Sequence, residues 1–122
     1  MNILAIDYGS KNIGLAWCDT GIGAPLPFGI VKNAAEVEKT ILDERINKII
    51  IGLPTGIDGK ENTNTERVRK FGAEIAENTG VSVEFFDERF SSQAADRMGM
   101  GVSRDEKSAM IILEDWLQRS KN

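Results

Sequence analysis

The chain contains no histidine and a single cysteine, Cys18. The absence of histidine excludes imidazole acid–base catalysis, histidine metal ligands and any Ser-His or Cys-His catalytic pair. A lone cysteine cannot form an internal disulfide, and a chain without disulfides is typical of a reducing compartment, so we expect a cytoplasmic location. Chemistry in this protein must therefore use carboxylates, lysines, hydroxyl groups or a bound metal.

Long hydrophobic runs and an excess of positive charge are also missing. No stretch approaches the roughly 18 consecutive apolar residues of a transmembrane helix, which excludes a membrane-spanning role. Residues 1–7 lack a basic start and reach a carboxylate early, so they predict a strand rather than a secretory signal. The formal net charge is −4, which argues mildly against nucleic-acid binding through overall charge. Any phosphate-binding surface must therefore be local.

The 122 residues suffice for one hydrophobic core, and we expect a single domain over 1–122. Hydrophobic periodicity alternates between two and 3.6 residues and predicts the order β-β-β-α-β-α-β-α-α. The predicted strands are 2–7, 13–18, 28–32, 48–53 and 81–86, and the first two predicted helices are 34–45 and 65–78. A helix between the last two strands indicates a parallel crossover. The fold class is therefore α/β, with a central mixed five-stranded sheet flanked by helices.

Two segments predict positions within the sheet. Residues 48–53 contain three consecutive isoleucines and lack polar alternation after Lys48, as expected for a strand buried on both faces in the middle of a sheet. Pro25 and Pro27 precede the third strand and indicate either an edge position or the entry to a strand, because proline cannot donate to a hydrogen-bond ladder.

The last helix has the clearest pattern. Ser103 and Glu106 form a plausible capping box. Apolar residues then follow at i, i+3, i+4, i+7 and i+8 from Ala109: Ala109, Ile112, Leu113, Trp116 and Leu117. Asp105 lies one turn before Ala109 on the same face. We therefore expect Asp105 at the start of this helix, directed toward the sheet.

Three acidic residues lie where buried elements begin or end. Asp7 closes the first strand, Glu88 follows the last strand, and Asp105 opens the last helix. Converging carboxylates repel one another unless a cation offsets the repulsion, and an oxygen-only set favours Mg²⁺ or Mn²⁺. Each also has an ordinary explanation. Asp7 can be a turn residue, Glu88 a surface charge paired with Arg89, and Asp105 an acid in the first turn of a helix. Only their conjunction predicts a metal site.

Candidate phosphate contacts fall in a turn and in basic clusters. They are Gly9, Ser10, Lys11, Arg67, Arg69, Lys70 and Arg89. Glycine in the turn leaves backbone N–H groups accessible to phosphate, although a plain hairpin turn explains it equally well. The arginines and lysines could form a phosphate-binding rim, and ordinary surface charge is the alternative for each. Residues 54–59 follow a strand end, where α/β sheets place ligand crevices. A structural turn is the alternative, because Asp58-Gly59 is a strong turn signal by itself.

Five segments resemble, in order, successive motifs of the YqgF/RuvX family. They are residues 7–16, Gly52-Leu53-Pro54 with Asp58-Gly59, 66–71, 87–92, and Asp105 with Ser108-Ala109. The family is similar in fold to RuvC-type resolvases, so the resemblance implies a ribonuclease-H-like fold. By resemblance, Asp7, Glu88 and Asp105 match the family's acidic positions.

The resemblance implies a nuclease that hydrolyses phosphodiester bonds with two Mg²⁺ or Mn²⁺ ions. The expected substrate is structured RNA, with processing of the 5′ end of pre-16S rRNA in ribosome biogenesis, and ribosome-assembly factors are expected partners. Cleavage of branched DNA as a Holliday junction resolvase is the alternative and would require a homodimer, whereas RNA processing is compatible with a monomer.

Two further alternatives stay open. Family members commonly have threonines where this chain has Ser91-Ser92, and a basic stretch where it has the glycine-rich residues 99–104. The lower positive charge there and the negative net charge motivate the alternative of a binding module that kept the fold and lost catalysis. Residues 7–14 also resemble the phosphate motif of actin-like ATPases, but those proteins close two domains around ATP and this chain has room for one.

Overall fold

The computed structural model describes residues 1–9, 11–54, 60–87 and 104–120. In these ranges the elements are β1 (Asn2–Tyr8), β2 (Ile13–Asp19), β3 (Leu26–Val31), α1 (Ala34–Asp43), β4 (Lys48–Leu53), α2 (Thr63–Thr79), β5 (Ser82–Asp87) and α3 (Arg104–Ser120). The predicted helix before the last one lies outside the described residues, as do Ser10, Glu88, Arg89 and Ser103. The remaining predicted elements are present within a few residues of their expected bounds.

The strands form one five-stranded sheet in the order β3-β2-β1-β4-β5. β1 pairs antiparallel with β2 and parallel with β4, and β4 pairs parallel with β5. The predicted mixed sheet is confirmed. The prediction that 48–53 is the middle strand is wrong by one position, because β1 holds the middle and β4 lies beside it. Both strands are buried on both faces, so their apolar residues could not indicate which of the two is the middle strand.

Side chains that alternate along β1 divide the core into two layers. Leu4 and Ile6 contact the layer formed by α1 and α2, whereas Ile3 and Ala5 contact α3. All four side chains are fully buried. Since successive side chains in a strand point to opposite faces, Asp7 continues the row that faces α3. The Asp7 side chain is therefore directed toward the α3 layer, and the Tyr8 side chain packs on the layer formed by α1 and α2.

The edge position of β3 is confirmed, because in the described sheet it pairs with β2 alone. The strand begins at Leu26, two residues earlier than predicted, and includes Pro27 opposite Ala16. Proline is accommodated in an edge strand, where its missing N–H removes no bond that the sheet requires.

The start of α2 is fixed to the end of β4. Asn62 caps the helix, its side chain accepting from the Thr65 N–H at 3.2 Å while the Thr65 hydroxyl oxygen accepts from the Asn62 N–H at 3.1 Å. The fully buried Thr65 hydroxyl also donates to the Pro54 carbonyl. This cap starts α2 two residues before the predicted bound. Gly80 ends it as expected, in the left-handed region at φ 73°.

α3 covers the other face of the sheet. Ala109, Ile112 and Leu113 are buried there, as the helical spacing predicted. Trp116 is half-buried, and its indole N–H donates to the Glu84 carboxylate of β5. Across the described ranges, none of the helices has the length and apolar character needed to span a bilayer.

Thr65→Val should lower the free energy of unfolding by about 1–3 kcal/mol, because it leaves the Pro54 carbonyl and the Asn62 N–H without their side-chain partner. Thr63→Val, at an exposed position in the same helix turn, is the matched control and should change stability by less than about 0.5 kcal/mol. Urea denaturation of both variants measures the difference. Equal losses in the two variants would contradict the role given to Thr65.

The Cys18 thiol should be unreactive in the folded protein. The side chain is fully buried, and this burial raises the pKa of the thiol, so the reactive thiolate is scarcer than at an exposed cysteine. A chromogenic disulfide reagent at pH 8 should modify the native chain only as fast as it unfolds, and should modify it at once in concentrated urea. Rapid modification of the native chain would contradict this placement.

Candidate functional site

Asp7 lies at the carboxyl end of the central strand, one residue before β1 ends. It is half-buried and pairs directly with Gly14 of β2. Residues directly opposite in an antiparallel pair point to the same face of the sheet, with Cβ positions about 4.5–5.5 Å apart. A residue that contacts Gly14 on the α3 side of the sheet therefore also lies close to Asp7.

Gly14 is in close contact with Asp105. A Cβ atom built on Gly14 would lie 2.1 Å from the Asp105 carbonyl oxygen and 3.0 Å from the Asp105 Cβ. Only glycine permits this approach of the first turn of α3 to β2. Combined with the Asp7–Gly14 pairing, the contact brings the Cβ atoms of Asp7 and Asp105 within roughly 8.5 Å of each other. Carboxylates at that separation can reach a common ion.

Two cavities meet at Asp7. One, of about 260 Å³, lies between the strand ends and the start of α2 and is lined by Asp7, Tyr8, Gly9, Gly52, Pro54, Asn64, Arg67 and Val68. The other, of about 170 Å³, lies against α3 and is lined by Asp7, Phe86, Asp87, Ser108, Ile111, Ile112 and Asp115. Asp7 is common to both. Pro54, at the start of the predicted ligand crevice, lines the first cavity, whereas residues 55–59 lie outside the described residues.

The turn after β1 requires glycine for a local reason. The Gly9 N–H donates to the Asn12 carbonyl at 3.1 Å, and a Cβ on Gly9 would lie 2.5 Å from that oxygen. The tight turn therefore accounts for Gly9 by itself. Lys11 is exposed beside it, and contact of this turn with phosphate stays a prediction.

The three cations predicted on α2 differ in their surroundings. Arg67 lines the cavity beside Asp7. Arg69 instead donates to both Glu61 carboxylate oxygens, at 2.7 and 3.1 Å, and its guanidinium carbon lies 5.4 Å from the centre of the Phe85 ring. The hydrogen bonds between Arg69 and Glu61 lower the pKa of Glu61 and raise the pKa of Arg69. Basic residues that are neighbours in the sequence of α2 therefore differ in environment, since Arg67 lines a cavity and Arg69 is paired with Glu61.

The chemistry of the described acids fits a hard divalent cation. Asp7 and Asp105 supply carboxylate oxygens, the ligands that Mg²⁺ and Mn²⁺ prefer. Within the described ranges, no group of three or more His, Cys, Asp or Glu is arranged to hold a metal. The third predicted ligand, Glu88, and the neighbouring Arg89 lie outside those ranges, immediately after β5 ends at Asp87.

Asn64 and Asp115 also line these cavities and were not predicted as site residues from the sequence. Asn64 lies in the first turn of α2, and its place in the cavity follows from the cap at Asn62, which was not predicted. Asp115 lies seven residues after Ser108, so helical spacing puts the two on one face of α3. That spacing was readable from the sequence. The apolar stripe at Ala109 and Ile112 was the stronger signal, and Asp115 borders it.

Comparisons with known proteins agree with this architecture. The profile of the family described as "RuvX: Holliday junction resolvase" matches residues 1–119. A protein of Maridesulfovibrio salexigens named "Putative pre-16S rRNA nuclease" is 32% identical over 135 residues, covering 98% of this chain and 100% of the relative. One of Clostridioides difficile with the same name is 34% identical over 130 residues, covering 94% of this chain and 92% of the relative.

Solved structures identify the fold. RuvC of T. thermophilus in complex with a Holliday junction substrate is similar at a TM-score of 0.71 and 12% identity, covering 100% of this chain and 96% of that one. A second Thermus thermophilus RuvC structure gives a TM-score of 0.69 at 14% identity, covering 99% and 96%. The predicted ribonuclease-H-like fold is confirmed. Because the family profile runs from the first strand through the last helix, the chain belongs to the RuvX family, as its motifs predicted.

Proposed function

We propose that this chain is a metal-dependent endonuclease that hydrolyses phosphodiester bonds of nucleic acid. The observation that carries the proposal is the contact of Gly14 with Asp105, which brings a carboxylate of the central strand and a carboxylate of α3 to one place. Without a cation, packing two acids together at a half-buried position costs stability. Holding Mg²⁺ or Mn²⁺ is the function that makes this arrangement favourable.

Asp7, Glu88 and Asp105 are the proposed ligands. When bound, two divalent ions supply an activated water and stabilise the leaving oxygen of the phosphodiester. Asp7 is the residue common to the two cavities, so it is the proposed bridge between substrate on the α2 side and the acids on the α3 side. Arg67 offers a positive charge to the phosphate in the first cavity. The absence of histidine from the chain is compatible with this chemistry, because the metal-activated water needs no imidazole.

The proposed substrate is the 5′ end of pre-16S rRNA, in the cytoplasm and as part of ribosome assembly. Its support is the name shared by relatives that are 32% and 34% identical along almost all of the chain. Cleavage of a Holliday junction is a second candidate, and its support is the description of the matching family. Whether the chain acts alone or as a homodimer separates the two.

Asp7→Asn and Asp105→Asn should each lower the cleavage rate by at least about 100-fold in a Mn²⁺-supplemented nuclease assay, because each removes a negative ligand oxygen from the ion. Asp43→Asn is the matched control. Asp43 is exposed at the end of α1, and its substitution should leave the rate unchanged. Chelation by EDTA should abolish cleavage, and Mn²⁺ should restore it. Equal rates in wild type and Asp7→Asn would favour the non-catalytic binding module.

Structured RNA carrying the precursor 5′ end should be cut by the monomeric chain, and four-way junction DNA should not. The reason is geometric, since symmetric cleavage of a junction needs two active sites related by a two-fold axis. Light scattering gives the oligomeric state, and parallel cleavage of the two substrates gives the preference. A stable dimer that cuts only the junction would overturn the RNA assignment and support the resolvase.

A further inference from the structure

A groove adjoins the cavity of about 260 Å³ that lies between Asp7 and the start of α2. It has a volume of about 530 Å³ and is lined by Tyr8, Ala34, Arg67, Lys70, Phe71, Ala73, Glu74 and Glu77. Tyr8 and Arg67 line both this groove and the cavity that contains Asp7. The two spaces therefore adjoin at Tyr8 and Arg67, and we refer to them together as the channel, which extends from the end of β1 along α2.

Charge changes sign along this channel. Arg67, Lys70, Glu74 and Glu77 follow one another at helical spacing on one face of α2, so they line the channel in order from Asp7 outward. Arg67 and Lys70 are exposed, and in the described part of the chain neither has an ion-pair partner. The inner half of the channel is thus cationic, and the outer half is anionic. A polyanion is attracted to the inner half and repelled at the far end.

Arg69 provides an internal contrast. It lies between these two cations in the sequence, but it pairs with Glu61 at 2.7 Å and packs over Phe85. Its charge is already compensated, and it does not line the channel. The structure therefore separates three neighbouring cations into two that face the channel and one that stabilises the surface of α2.

An aromatic ring, that of Tyr8, lies where the cavity and the groove adjoin. The Tyr8 ring stacks on Phe71 with ring centres 4.3 Å apart and planes inclined by 26°. This contact holds the Tyr8 ring in place where the two spaces join. A fixed aromatic ring beside cations is the combination with which proteins bind single-stranded nucleic acid, because the ring contacts a base while the cations contact phosphates.

We propose that this channel binds a single nucleic-acid strand next to the scissile phosphodiester, with Arg67 and Lys70 contacting successive phosphates and Tyr8 contacting a base. The inference rests on the proposed nuclease function and specifies the form of its substrate. The cavity of about 260 Å³ beside Asp7 lies just below the usual volume of small-ligand pockets, so it can admit a phosphate group. The Tyr8 ring is what favours a single strand, because a base that stacks on an aromatic side chain must be free of the duplex stack. Glu74 and Glu77 limit the contact to a short segment.

The salt dependence of binding tests the proposal. Fluorescence anisotropy measures the dissociation constant of the full chain for a labelled single-stranded 12-mer RNA between 50 and 300 mM salt, in EDTA to prevent cleavage. Arg67→Gln and Lys70→Gln should each reduce the slope of log K against log salt by about 0.7, the value for one phosphate contact on a single strand. Arg69→Gln is the matched control and should leave the slope unchanged. Thermal melting verifies that each variant is folded.

Three results would each overturn the proposal. The first is an equal reduction of the slope by Arg69→Gln, and the second is no reduction by Lys70→Gln. The third is the same pattern of losses with a duplex of the same sequence, which would mean that the channel does not select a single strand. The cleavage assay of Asp7→Asn tests the nuclease proposal separately. Unchanged cleavage by Asp7→Asn together with the predicted slopes would leave the strand-binding channel in place and remove the catalytic role.

Discussion

The contact between Gly14 of β2 and the backbone of Asp105 is the constraint on which the site depends. It fixes the first turn of α3 against the sheet at the one position that pairs with Asp7. A methyl group at Gly14 would overlap the Asp105 carbonyl and would move the helix start away from β1. Overpacking of this kind typically costs about 1–3 kcal/mol, and here it would also separate the two carboxylates that the proposed chemistry needs together.

Hydrophobic packing holds that contact in place. Along the same face of the sheet, Ala5 pairs with Ala16, and both are fully buried beneath Ala109 of α3. Small side chains on both sides are compatible with close packing of the helix on the strands, and the glycine provides the close approach at the start of the helix. Burial of Ile3 and Leu113 in the same layer supplies the free energy. The apolar layer thus contributes the packing free energy that positions the acids at its rim, and the proposed ion would offset the repulsion between them.

Much of this arrangement was predictable from periodicity, and the rest depends on contacts between distant residues. The spacing around Ala109 predicted which face of α3 is buried and placed Asp105 at its start. Apolar runs identified two-sided strands but could not order them, because β1 and β4 carry the same signal. The different surroundings of Arg67 and Arg69 could not be predicted either, since the partner of Arg69 is Glu61, in the segment before α2. Side-chain pairing of that kind is set by the tertiary path of the chain.

The central claim is that Asp7 and Asp105 bind one divalent ion between them. A crystal structure grown with Mn²⁺ tests it most directly, because anomalous scattering locates the ion independently of the protein atoms. We predict an anomalous peak about 2.0–2.6 Å from a carboxylate oxygen of each residue. A structure with Mn²⁺ bound elsewhere, or with a peak that contacts only one of these two carboxylates, would contradict the account.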